Sequence, residues 1–74
     1  MKRQEPSPLR LAREQEGMSR AALARECGMA EKTLKRAEDG EGVSAVTRHK
    51  IVKGFNRLPD RLDSYTHDML FPSQ

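Results

Sequence analysis

Seventy-four residues and 8.4 kDa hold one small domain with a thin core, since a chain of this size buries only about 60% of its unfolded surface. The composition is 35% hydrophobic, 4% aromatic and 34% charged, with mean hydropathy −0.85. It excludes a membrane span, because no run of about 18 apolar residues occurs. A single cysteine, Cys27, excludes an internal disulfide framework and a Cys-based zinc site. His49 and His67 lie too far apart for a helical ligand pair, so neither a metal nor any other cofactor is expected. No apolar stretch follows Met1, so no secretory signal is expected and a reducing, cytoplasmic setting is the default.

Fourteen Lys/Arg against eleven Asp/Glu give a net charge of +3 and a pI near 9.4. Residues 1–36 carry nine bases and five acids, residues 37–74 five bases and six acids. The positive end is the front half, and the excess permits an anionic partner without requiring one.

Residues 1–7 read as a loose, polar N-terminal arm. Ser7-Pro8 is an N-cap followed by a proline at the first helical position, where its missing N–H costs nothing. A helix is expected from Pro8 to Glu16, with Leu9, Ala12 and Leu11 inward, ended by the left-handed turn of Gly17. Ser19 caps a second helix, Arg20 to Cys27, whose Leu23, Ala24 and Cys27 share one face before Gly28 breaks it. The third runs from about Ala30 to Glu38 with Ala30, Leu34 and Ala37 inward, and residues 39–42 form a turn. Ser44 caps a fourth to about Asn56, burying Val46, Ile51, Val52 and Phe55. Gly54 inside it costs about 1 kcal/mol relative to alanine. A fifth helix from Pro59 presents Leu62, Tyr65, Met69 and Leu70. No segment alternates with period two, and the fold class is all-α.

Arg20 to Glu38 holds two short helices joined at a Gly-containing turn of about three residues. That is a helix-turn-helix layout, whose second helix can enter a DNA major groove. Small Ala24 lets the two helices cross closely, and Leu23, Met29, Leu34 and Ala37 join the pair to the rest of the domain. At about 100° per residue, Lys32 and Arg36 lie opposite the core-facing side chains of the third helix, with Thr33 and Lys35 on the flanks. Such a ridge carries cations able to reach guanine O6/N7, or it is an ordinary solvated face.

These residues, with Leu11–Ser19 before them, Leu34–Gly40 closing the third helix and Ser44–Phe55 after it, resemble the Cro/phage-repressor-type helix-turn-helix family, also called the xenobiotic-response-element type. The resemblance covers about residues 9–58. It implies a four- to five-helix, lambda-repressor-like DNA-binding domain over 8–58, with 59–74 as a C-terminal helix and tail able to form a dimer. It points to Glu31, Lys32 and Arg36 as base readers, Glu31 being an acceptor for cytosine N4 or a partner of the helix dipole. Arg20 takes the place of the family's phosphate-contacting residue at a helix N-terminus. Arg10, Thr33 and Lys35 are further phosphate or flank candidates, and the arm cations Lys2 and Arg3 weaker ones. Arg13 and Glu38 match a structural ion pair joining the first helix to the end of the third.

Three positions depart from the family pattern: Ala30 replaces a capping Ser or Thr, Asp39 and Glu41 make the following turn acidic, and Arg48 stands where an apolar residue is usual. Cys27 suits a small core site, with redox sensing the other reading; His49 and His67 are placed on exposed faces. Nothing resembles a phosphate-cradling loop or a catalytic triad, so no enzyme is expected. Leu62, Tyr65, Met69, Leu70 and Phe71 either cap the core or form a self-complementary patch. The expected function is a sequence-specific transcriptional regulator, a repressor binding a palindromic operator in double-stranded DNA as a homodimer. Its setting would be bacterial or phage-encoded, on the nucleoid. The rival is a module that binds a protein partner such as a toxin or polymerase, with incidental DNA contact.

Overall fold

A computed structural model describes residues 7–72; the N-terminal arm cations Lys2 and Arg3 lie outside that range. Five helices follow in order among the described residues: α1 (Pro8–Gln15), α2 (Arg20–Cys27), α3 (Glu31–Glu38), α4 (Ala45–Asn56) and α5 (His67–Leu70). Ser7, Ser19 and Ser44 cap the first, second and fourth through their hydroxyls, which accept from the amides of Arg10, Ala22 and Thr47. Each satisfies one of the amides that the first helical turn leaves without an intrahelical partner. Ala30, which has no hydroxyl, occupies the cap of α3 without such a bond and is exposed rather than inward.

The core is one cluster. Leu9, Leu23, Leu34, Ile51 and Phe55 are fully buried, with Ala24, Cys27, Ala37, Leu58, Tyr65, Leu70 and Phe71 around them. Two expected core residues turn outward: Leu11 of α1 is 52% exposed and Val46 of α4 is 65% exposed. In each case the cluster is already filled from the opposite side of the helix, by Leu9 in α1 and by Ile51 and Phe55 in α4.

Helix α2 packs on both α3 and α4. Its contact with α4 depends on Gly54, where an added Cβ would lie 2.4 Å from Cys27 Sγ and 3.1 Å from its Cα. The helix-propensity cost of that glycine is therefore offset by a close helix crossing that no other residue permits. Burial pushes the Cys27 thiol up to about 11, and Sγ lies 3.8 Å from the Ile51 carbonyl.

The stretch expected as a helix from Pro59 is instead an irregular strap, with only His67–Leu70 helical. Asp60 sits at φ 56°, a left-handed conformation incompatible with a continuing helix. The strap is tied at two places. Asn56 pairs with the Tyr65 backbone in both directions, Tyr65 N donating to Oδ1 at 3.0 Å and Nδ2 donating to its carbonyl at 2.8 Å. The Glu16 carboxylate accepts from Leu62 N at 2.9 Å and from the Tyr65 hydroxyl at 2.5 Å. The Tyr65 ring meets Phe55 at a centroid distance of 4.8 Å.

Tyr65, Leu70 and Phe71 thus complete the core of their own chain. This corrects the assignment of Tyr65 and Leu70 to a dimer face: both are buried within the monomer, while Leu62 and Met69 remain exposed. Arg48, in a place where an apolar residue was usual, donates from Nη1 to the Val43 carbonyl at 2.6 Å and from Nε to His67 Nε2 at 3.2 Å. His67 is accordingly half-buried and holds α5 against α4 instead of lying on an open face.

Substituting Gly54→Ala is expected to destabilise the domain by about 1–3 kcal/mol in urea titrations, and Cys27→Ala should restore part of the loss in the double variant. The Tyr65 hydroxyl, buried and donating to Glu16, is pushed up to about 12. Because the Cys27 and Tyr65 values are both raised in the fold, their neutral forms stabilise it. That contribution is whole below about pH 9 and lost as the pH climbs towards 12. A thermal midpoint that falls through this window, with a shallower fall above pH 10 in Tyr65→Phe, is the expected result.

Candidate nucleic-acid interface

The turn between α2 and α3 is three residues, Gly28–Ala30. Gly28 adopts φ 69°, ψ 40°, which places it in the region where a side chain is strained. The amide of Met29 then returns to the Ala24 carbonyl at 3.0 Å and closes the end of α2. With Leu34 and Ala37 buried against the core, Glu31, Lys32, Lys35 and Arg36 are left exposed on α3 and Thr33 is half-buried beside them.

These side chains are not electrostatically equivalent. Lys35 Nζ lies 2.7 Å from Asp39 Oδ2, and Arg36 Nε lies 4.0 Å from Glu41 Oε1, so the acidic turn that follows α3 engages two cations of the ridge. The hydrogen bond from Lys35 holds the Asp39 carboxyl below its ordinary range. Lys32 has no ion pair among the described residues. Glu31 occupies the first turn of α3, where a carboxylate is favoured by the helix dipole. Arg10 pairs with Glu14 one turn on, at 3.1 Å on the exposed side of α1.

The orientation of the ridge is held by Glu38. Its side chain is 1% exposed and its carboxylate takes three hydrogen bonds. Arg13 Nε donates at 2.6 Å and Arg13 Nη2 at 3.4 Å, while Arg20 Nε donates at 3.3 Å. Arg13 Nη1 also donates to the Met18 carbonyl at 2.9 Å. One carboxylate therefore joins α1, the turn after it, the start of α2 and the end of α3. Arg20, expected to face phosphate alone, is part of this network and keeps about a third of its side chain at the surface. The Arg20–Glu38 link was not anticipated, because the two residues are eighteen positions apart and no local pattern reports it.

Arg13→Ala is expected to cost about 3–5 kcal/mol in chemical denaturation, since it leaves a buried carboxylate with one partner. The double variant Arg13→Met/Glu38→Leu should recover much of that loss, as it removes the charge together with its need for partners.

A family model described as a helix-turn-helix domain matches residues 8–63. No curated protein and no solved structure matches the chain. The match spans all of the α1–α4 framework and the first part of the strap, and it agrees with the all-helical fold and the Gly28 turn described above. By its sequence and its architecture, the chain belongs to the helix-turn-helix domain family, whose members typically bind DNA rather than catalyse reactions.

Proposed function

We propose that the protein is a sequence-specific transcriptional regulator that reads double-stranded DNA with α3, acting as a repressor on a palindromic operator. The observation that carries this reading is the exposed row Glu31, Lys32, Lys35 and Arg36 on a helix whose opposite face, Leu34 and Ala37, is locked into the core. Lys32 and Arg36 are the cations suited to guanine O6/N7, and Glu31 can accept from cytosine N4. Thr33, Lys35 and Arg10 serve backbone contacts, as does the exposed part of Arg20 beside the α2 N-terminus.

One domain of this size makes a small interface with modest affinity, which favours binding as a two-fold pair. Leu11 and Met69 support a homodimer through the α1–α5 face. Both are exposed, and with Pro8 and Ala12 they line a shallow, largely apolar hollow of about 260 Å³. Leu62, 70% exposed, extends the apolar surface on the strap. The engagement of Lys35 and Arg36 by Asp39 and Glu41 favours the second reading, in which the same ridge docks on a protein partner.

Selection of bound duplexes from a random pool separates the two. The regulator yields a palindromic consensus and Arg36→Ala relaxes preference at one base pair by about 1–3 kcal/mol. An unenriched pool, or unchanged preference in Arg36→Ala, overturns the readout. Leu11→Ser/Met69→Ser is expected to halve the mass in sedimentation while the fold is retained. Truncation at Pro59 is unsuitable for this purpose, because it would remove Tyr65, Leu70 and Phe71 from the core.

A further inference from the structure

Helix α4 carries a charge pattern unlike the rest of the chain. Residues 42–59 contain no Asp or Glu, yet hold Arg48, His49, Lys50, Lys53 and Arg57. Arg48 is committed inward, to the Val43 carbonyl and His67. The others fall differently. Val46, Lys50, Lys53 and Arg57 recur at four-, three- and four-residue steps, the spacing of a single helix face, and all four are exposed, as is His49 beside them.

Neither Lys50 nor Lys53 has a carboxylate within ion-pair distance among the described residues. Arg57 caps the helix and donates to the Glu26 carbonyl of α2, which fixes the lower end of the stripe without neutralising it. By contrast, the exposed cations of α3 and α1 are largely paired: Lys35 with Asp39, Arg36 with Glu41, Arg10 with Glu14. An unpaired row of cations on one rigid helix attracts a linear polyanion rather than a single small ion, since the charges from Lys50 to Arg57 are spread along about two turns.

The stripe does not share the surface of the reading helix. Leu34 of α3 and Ile51 and Phe55 of α4 bury into one core, so each helix turns its exposed face away from that common centre. α2 packs on both, and α3 and α4 have no comparable packing of their own. The stripe and the reading ridge thus sit on separate helices, each facing out from the shared core, and a second duplex segment is the occupant considered for the stripe.

We infer that Lys50, Lys53 and Arg57 form a second, sequence-independent phosphate-binding surface that takes the backbone of a separate DNA duplex segment, so that one protein molecule bridges two stretches of DNA. The inference rests on the DNA-reading role proposed for α3. It would supply non-specific affinity through counterion release, leaving base readout to α3.

Two measurements test it. In the first, duplex selected by the wild-type protein is held on beads and a second, labelled duplex of arbitrary sequence is added with the protein. Wild type is expected to retain the second duplex. Lys50→Gln/Lys53→Gln, whose exposed side chains leave the thermal melt unchanged, should bind the first duplex normally and fail to retain the second. Equal retention by the variant overturns the proposal, and so does an equal loss of binding to the first duplex, which would place the stripe on the same DNA as α3.

The second measurement does not need a selected sequence. Lys32→Ala/Arg36→Ala, disabled at the reading helix, is titrated with an arbitrary duplex across a range of salt. Residual binding is expected, with a log–log salt slope that falls by about 2 when Lys50→Gln/Lys53→Gln is added, near 0.9 for each lost phosphate contact. An unchanged slope overturns the second surface. Binding to phosphatidylserine vesicles without any duplex retention would assign the stripe to lipid and likewise overturn it. Failure of the wild type to select any sequence, with the slope difference intact, would sink the α3 reading and leave the α4 surface standing.

Discussion

The arrangement of this domain depends on a single buried carboxylate. Glu38 ends α3, where the helix dipole is negative and a carboxylate is unfavourable. It is tolerated because Arg13 and Arg20 reach it from two other helices and use both of its oxygens. A buried charge without such partners would cost several kcal/mol. The requirement to satisfy it therefore dictates how α1, the start of α2 and the end of α3 stand relative to one another. The orientation of the exposed ridge on α3 follows from that.

The remaining constraint is the thinness of the core. Four short helices of eight to twelve residues cannot enclose Phe55 and Leu9 unaided. Closure comes from a segment with almost no regular structure, whose backbone groups are met by the Asn56 amide and the Glu16 carboxylate. Tyr65, Leu70 and Phe71 are carried into the core by that strap. Because they are spent there, the large apolar side chains left exposed among the described residues are Leu11, Val46, Leu62 and Met69. This exposed apolar surface is smaller than a fully exposed tail would have offered, and α1 contributes to it.

Charge is distributed by the same logic. The front half has the larger formal excess of cations, but tertiary packing consumes Arg13 and much of Arg20, and the acidic turn engages Lys35 and Arg36. The back half, nearly neutral in sum, hides an acid-free helix whose Lys50 and Lys53 are unpaired among the described residues. Net charge by segment and available charge at the surface thus point to different faces.

Local chemistry alone determined the helices α1 to α4. Ser7, Ser19 and Ser44 end their chain entries with hydroxyl caps, Gly28 reverses the chain, and the spacing of Leu23, Leu34, Ile51 and Phe55 sets the inward faces. The exposed row on α3 was legible for the same reason, since helical periodicity is local. What only the tertiary structure decided were the contacts between residues far apart in sequence. Asn56 and Glu16 override the helical spacing of residues 59–66, a glycine at 54 makes room for Cys27, and Leu11 and Val46 turn outward because the one small core is already full. Periodicity reports which side chains share a face. It does not report which face a shared core still has room to bury, or which distant donor a buried carboxylate will find.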